Sequence, residues 1–119
     1  MATSWRHYGP RLEHHLTLSH QHENPLPEFP ALTHVHYAHC APSHDLAPHR
    51  HPIYELCYIH AGRGDWWAED HAYKLRPGDL YITKPGEVHG GKTDPADPLV
   101  LFVCGIDPGA LPLARLPKL

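Results

Sequence analysis

Basic charge is in short supply in this 119-residue sequence: ten Lys and Arg stand against thirteen Asp and Glu, a formal net charge of −3. Without a positive field to hold a phosphate backbone, no direct nucleic-acid contact by this chain is expected. Long apolar runs are missing too, so nothing predicts a membrane-spanning helix, and the N-terminus lacks the basic-then-apolar order of a secretion signal. A cytoplasmic protein without a membrane partner is the expectation. The three cysteines, Cys40, Cys57 and Cys104, are odd in number and form no C-x-x-C pair, which argues for reduced thiols. No internal repeat, nucleophile–base arrangement or phosphate-cradling glycine loop stands out; Gly62-Arg63-Gly64 alone reads as a turn.

What the chain has in quantity is proline, glycine and histidine, with 14, 9 and 14 residues. Its length makes one domain able to bury roughly two thirds of its unfolded surface. The proline and glycine content favours short elements joined by turns over a helical bundle. Residues 1–31 carry Pro10, Pro25, Pro27 and Pro30 with little periodicity, and are expected to form an irregular arm with a short strand near 16–18. Strands are expected over 32–38, 53–60, 65–69, 71–75, 80–83 and 99–106, with a loop over 40–48 and another over 94–98. Turns are expected at Pro77-Gly78-Asp79 and Lys84-Pro85-Gly86-Glu87. Residues 108–119 hold Pro108, Pro112 and Pro117 and are expected as a tail without a stable helix. The result is an all-β domain over 32–107, an antiparallel sandwich or barrel.

Residues 49–55 read His-Arg-His-Pro-Ile-Tyr-Glu. Side chains alternate along a strand, so His49, His51 and Glu55 are expected on one face. His89, just after Pro85-Gly86, is expected to arrive from another strand. Three imidazoles and a carboxylate suit a divalent transition metal: Fe, Mn, Ni, Co or Zn, since ligand type alone does not choose among them. A carboxylate on a strand buried on both sides also has little reason to be there without a cation. Cys57 shares the parity of Glu55 and is a candidate for the wall of a ligand pocket, although a small buried hydrophobe accounts for it as well. Of Trp66 and Trp67, one must face inward, to line that pocket or to fill the core, and the outward one then offers a dimer contact. Tyr54 and Tyr58 take the face opposite Glu55. The remaining histidines have plainer roles. His7, His14, His15, His20 and His22 read as solvated side chains of the arm, able to bind Ni2+ or Zn2+ weakly. His34 and His36 are expected to face solvent, opposite a buried face of Val35 and Tyr37, with a second metal site there as the lesser alternative.

These residues resemble the cupin superfamily, small β-barrels related to jelly rolls. Its first motif, H-x-H-x3-E-x6-G, is met by His49, His51, Glu55 and Gly62. Its second, G-x5-P-x-G-x2-H, is met by Gly78, Gly86 and His89, with the proline one place late at Pro85 and Lys84 in its usual position. Ser43 stands where a glycine often precedes the first histidine. Within the superfamily, the stretch from His51 to His89 is similar to the N-terminal ligand-sensing domain of AraC-type transcription regulators. The likeness rests on Tyr54-Glu55-Leu56-Cys57-Tyr58-Ile59, Leu75-Arg76-Pro77-Gly78-Asp79-Leu80 and Pro85-Gly86-Glu87-Val88-His89. It implies a jelly-roll-like cupin barrel that binds a small polar molecule, sugar-like or related, as the regulatory part of a regulator whose DNA-binding region is absent from this chain. It also implies a homodimer. The four motif residues either hold a metal or form a hydrogen-bonded cluster. A stand-alone metal-dependent cupin enzyme, of dioxygenase or isomerase type, is the alternative, and a histidine-rich metal buffer a weaker third.

Overall fold

Proline and glycine divide the chain into short strands. The structure, a computed structural model, describes residues 16–111, with side chains from His22 onward. Within them run nine strands: β1 Leu16–Glu23, β2 Leu32–Cys40, β3 Asp45–His49, β4 Tyr54–Ala61, β5 Gly64–Ala68, β6 His71–Leu75, β7 Leu80–Thr83, β8 His89–Thr93 and β9 Val100–Ile106. A five-stranded sheet, in the order β1-β2-β9-β4-β7, faces a four-stranded sheet in the order β3-β8-β5-β6. The pairings are antiparallel throughout. This is the all-β antiparallel barrel expected from the turns, in the cupin form that the resemblance implied. A single 3-10 turn, Pro108–Ala110, follows β9.

Two elements differ from expectation. β1 is eight residues long and pairs along β2, well beyond the short strand expected near 16–18. β3, Asp45–His49, starts inside the expected 40–48 loop and runs past it, despite Pro48. It is an edge strand, and its register with β8 slips between Leu46 and His49; edges and bulges are where a sheet tolerates a residue without an N–H.

The register sets side chains in rows across the five-stranded sheet. On the inner face His34, Gly105, Glu55 and Thr83 form one row, and His36, Val103, Cys57 and Tyr81 the next. Ala38, Leu101 and Ile59 form a third. The interior therefore grades from a polar end to an apolar end. At the apolar end Ile59, Leu75 and Leu99 pack with Cys40, Cys57 and Trp66; a fully buried side chain of Leu or Ile size stabilises by roughly 1.5–3 kcal/mol. The outer face carries two further rows, Val35, Cys104, Leu56 and Ile82, then Tyr37, Phe102, Tyr58 and Leu80.

Candidate metal centre

After His49 the chain leaves the four-stranded sheet, and it joins the five-stranded sheet at Tyr54, with His51 on the crossing segment. His49, His51 and Glu55 therefore do not share one strand face, as alternation predicted. They sit on β3, on the connection and on β4. Pro52 lies in the break, where a residue without an N–H interrupts strand pairing. Convergence follows from two facing sheets instead. His89 opens β8 directly opposite His49. The turn before it depends on Gly86, whose φ of 78° suits glycine and whose N–H donates to the His51 carbonyl at 2.8 Å. The second motif's turn is thereby tied to the first motif's histidine.

Each of the three rings is oriented by a backbone carbonyl. The Nδ1–H groups of His49, His51 and His89 donate to the carbonyls of Ala47, Ile53 and Glu87 at 2.8, 2.9 and 2.8 Å. A carbonyl only accepts, so Nδ1 carries the proton and Nε2 is left as the ligand atom. One ligand atom from each ring lies within 4.8 Å of the others, so the three could hold a metal ion. The Nε2 of His89, on a fully buried side chain, has no hydrogen-bond partner among the described residues. Leaving a buried polar atom unsatisfied costs about 1–3 kcal/mol, a cost that a cation removes. Burial depresses the pKa of His89 to about 4 and lowers that of His49 as well. Both rings are neutral at pH 7, the form that binds metal.

Glu55 stands beside this triangle. Its Oε1 lies 2.9 Å from His51 Nε2 and its Oε2 lies 3.3 Å from His34 Nε2. Burial alone would raise the Glu55 pKa, but the hydrogen bonds and charges of His34 and His51 hold it far below the usual carboxylate range. Burial likewise opposes charge on His51, yet the contact with Glu55 outweighs it and raises the histidine's pKa. With Nδ1 already donating to Ile53, a second proton on His51 lies on Nε2, against Glu55.

His34 and His36 do not face solvent as expected; they are 1 % and 2 % exposed, inside the barrel. Alternation along β2 separates two faces without saying which is inside, and Val35 and Tyr37 take the outer one. Gly105, between His34 and Glu55 in the inner row, makes the inward ring fit: a Cβ there would strike the His34 ring and the Thr33 hydroxyl. A bulge between Leu32 and His34 brings Thr33 Oγ1 to 3.0 Å from His34 Nδ1. Burial, with the neighbouring His34, depresses His36 to about 4 against the opposing pull of Glu55. The sequence signal for this arrangement is a glycine inside an otherwise apolar strand.

A cavity opens between the sheets. His34, His36, His49, His51 and Glu55 form its polar wall, and Leu46, Cys57, Trp66, Tyr81 and Val103 part of its apolar one. His44, to which no sequence pattern assigns a role, also lines it and is 7 % exposed. Trp66 is the inward indole, its ring 4.4 Å from Tyr81 and 5.3 Å from His89. Trp67 points the other way, over Gly90, and does not line the cavity. Burial raises the pKa values of Cys57 and Tyr81, so both are neutral at pH 7. A cation held by His49, His51 and His89 would displace any proton on His51 Nε2 and would supply an electrophile for an oxygen donor.

Fold and site together define the class, a cupin-type barrel with a metal-competent histidine centre. Residues 32–116 match the AraC-like ligand binding domain family, and the chain belongs to that family. Over 61 residues it is 33% identical to an uncharacterized HTH-type transcriptional regulator, YfiF, of Bacillus subtilis strain 168, a match covering 50% of this chain and 19% of that protein. The chain thus aligns with about a fifth of that relative's length. A Cupin 2 conserved barrel domain protein from Salinispora arenicola superposes with a TM-score of 0.65 at 18% identity, over 82% of this chain and 86% of the other. A predicted oxalate decarboxylase from Thermotoga maritima gives 0.65 at 17% identity, over 74% and 79%. These two likenesses establish the fold alone. Among the described residues no helix is long and apolar enough to cross a membrane.

Proposed function

We propose that this domain senses a small molecule on behalf of an AraC-type transcription regulator, using a divalent metal held by His49, His51 and His89. One observation carries the reading: three imidazoles, each set by a carbonyl behind it, bring ligand atoms within 4.8 Å of one another, and two of them, His49 and His51, line the cavity. Glu55 is the proposed fourth ligand, since loss of the proton it shares with His51 leaves its Oε1 without a donor beside the centre. The metal, one of Fe, Mn, Ni, Co or Zn, supplies an electrophile for an oxygen atom of the ligand. Trp66, Tyr81 and Val103 enclose the rest of that molecule. Family membership supports the regulatory role, in the cytoplasm, with DNA contacted by a helical region outside this sequence.

A metal-dependent enzyme is the second reading, favoured by the same open centre facing an enclosed cavity. Metal comes first for both. In equilibrium dialysis against Zn2+, the full chain carrying His7→Asn, His14→Asn and His15→Asn should retain one tight equivalent. Adding His51→Ala and His89→Ala should abolish it, and metal content unmoved by that pair would refute the site. Turnover by the metal-loaded chain alone would then favour the enzyme.

A further inference from the structure

The cavity has two kinds of wall, and strand register sets where one gives way to the other. His34 and Glu55 share the first inner row, and His36 lies in the second with Val103, Cys57 and Tyr81. The third row, Ala38, Leu101 and Ile59, has no polar side-chain atom. Leu46 and Leu75, on the facing sheet, extend this apolar belt. At its border the side chains of Tyr81 and Cys57 hydrogen-bond to each other. His44, the next polar ring, adjoins Thr93 at the far end of β8, a strand that rises roughly 13 Å from His89. The cavity encloses about 80 Å3. An apolar cavity of about 150 Å3 accepts benzene, so this one accepts a body of about three carbons.

We propose that the molecule sensed is a short-chain monocarboxylate, its head towards the histidine centre and its hydrocarbon tail in the apolar belt, in place of the sugar-like molecule that the resemblance implied. This assignment rests on the proposed metal at His49, His51 and His89. Imidazoles bring no charge to a divalent cation, and Glu55 brings one negative charge, so the centre keeps a single positive charge that one carboxylate cancels. An uncharged polyol leaves that charge uncompensated away from water. The tail decides the rest. Every hydroxyl that a polyol carries into the belt gives up its water and meets carbon, which weakens binding by roughly tenfold or more. A hydrocarbon tail instead buries its own surface against Leu101 and Val103.

Isothermal titration of the full chain, loaded with one equivalent of Zn2+, compares butanoate, 3,4-dihydroxybutanoate and erythritol, which have the same number of carbons. Butanoate should bind at least about a hundredfold more tightly than its dihydroxy analogue, two hydroxyls at about tenfold each, and erythritol should give no binding heat. Val103→Thr, nearly isosteric, puts a hydroxyl on the border of the belt and should cut the preference by about tenfold. With zinc retained, butanoate binding that is absent or no tighter than that of the dihydroxy analogue overturns this ligand class and leaves the metal reading standing. Failure of the chain to retain zinc overturns both. A preference that Val103→Thr leaves unchanged also overturns the assignment, because the apolar wall would then not be its source.

Discussion

Replacing Gly105 with alanine should disrupt the polar end of the barrel through one methyl group. The new Cβ would lie 2.6 Å from His34 Nδ1 and 2.5 Å from Thr33 Oγ1, with the His34 Cε1 closer still. The hydroxyl can rotate away; the ring is fixed between Thr33 on one side and Glu55 on the other. Overpacking of this kind costs about 1–3 kcal/mol. Displacing the ring also weakens a contact to a charged carboxylate, worth about 1.5–3 kcal/mol. Partial relief of each through the other leaves a net loss of about 3 kcal/mol, or a drop of roughly 12–20 °C in melting temperature for a domain near this size. The discriminating measurement is a double-mutant cycle by urea unfolding. In a His34→Ala background the obstacle is gone, and Gly105→Ala should cost under about 1 kcal/mol, a coupling of about 2 kcal/mol. An equal cost in both backgrounds would refute the reasoning, because the penalty would then belong to the β9 backbone and not to the inward histidine.

Other outcomes follow from burial and charge. In the metal-free protein His36 and His89 titrate at about 4 when folded, against the ordinary histidine value of 6.5, so the unfolded chain binds more protons between those limits and stability falls as pH drops through that window. The loss is up to about 3 kcal/mol per histidine, and urea curves for wild type and His36→Gln that run parallel from pH 7 to 5 would contradict it. Glu55 adds to the acid lability, since its depressed pKa contributes stability above about 4.5 that is lost as pH falls. His51 acts the other way, its raised pKa stabilising at acid pH and losing effect as pH rises through its folded value; Glu55→Gln should remove both contributions in one pH–stability profile. Burial pushes Cys40 up to about 12 and Cys57 higher, so iodoacetamide should leave both unmodified in the native chain and label all three cysteines after unfolding. Fast native labelling of Cys57 would show that the barrel interior is open.

The architecture was legible where turn chemistry is strong. Pro77-Gly78-Asp79 and Lys84-Pro85-Gly86-Glu87 bracket β7, and Gly62 separates β4 from β5. β3 was not legible, because Pro48 argues against a strand until one knows that the segment lies at an edge. The spacing of His49, His51 and His89 pointed to a common centre, but by the wrong geometry: parity assumed one continuous strand where the chain crosses between sheets at Pro52. His34 and His36 failed for a different reason. Period-two alternation ranks no face as inner, and hydrophobicity picks the face with Val35 and Tyr37. What reverses that choice is Glu55, brought alongside β2 by two strand pairings through β9, a long-range fact that no local pattern contains.

A barrel selected for stability alone would not place His34, Glu55, His51 and His89 in one layer. Apolar residues of similar volume would remove several desolvation costs, and replacing buried charged groups in that way is often neutral or stabilising. The layer is tolerated because its contacts close on themselves: Thr33 on His34, His34 and His51 on Glu55, and Ile53 behind His51. The His89 Nε2 has no such contact among the described residues. A cation held there would also take the His51 nitrogen that now faces Glu55, and the carboxylate would then lose that hydrogen bond between the crossing segment and β4. A ligand shifts a protein between states only through contacts that differ between them. Glu55, with one oxygen turned towards His34 and the other towards His51, is where the proposed function would register such a difference.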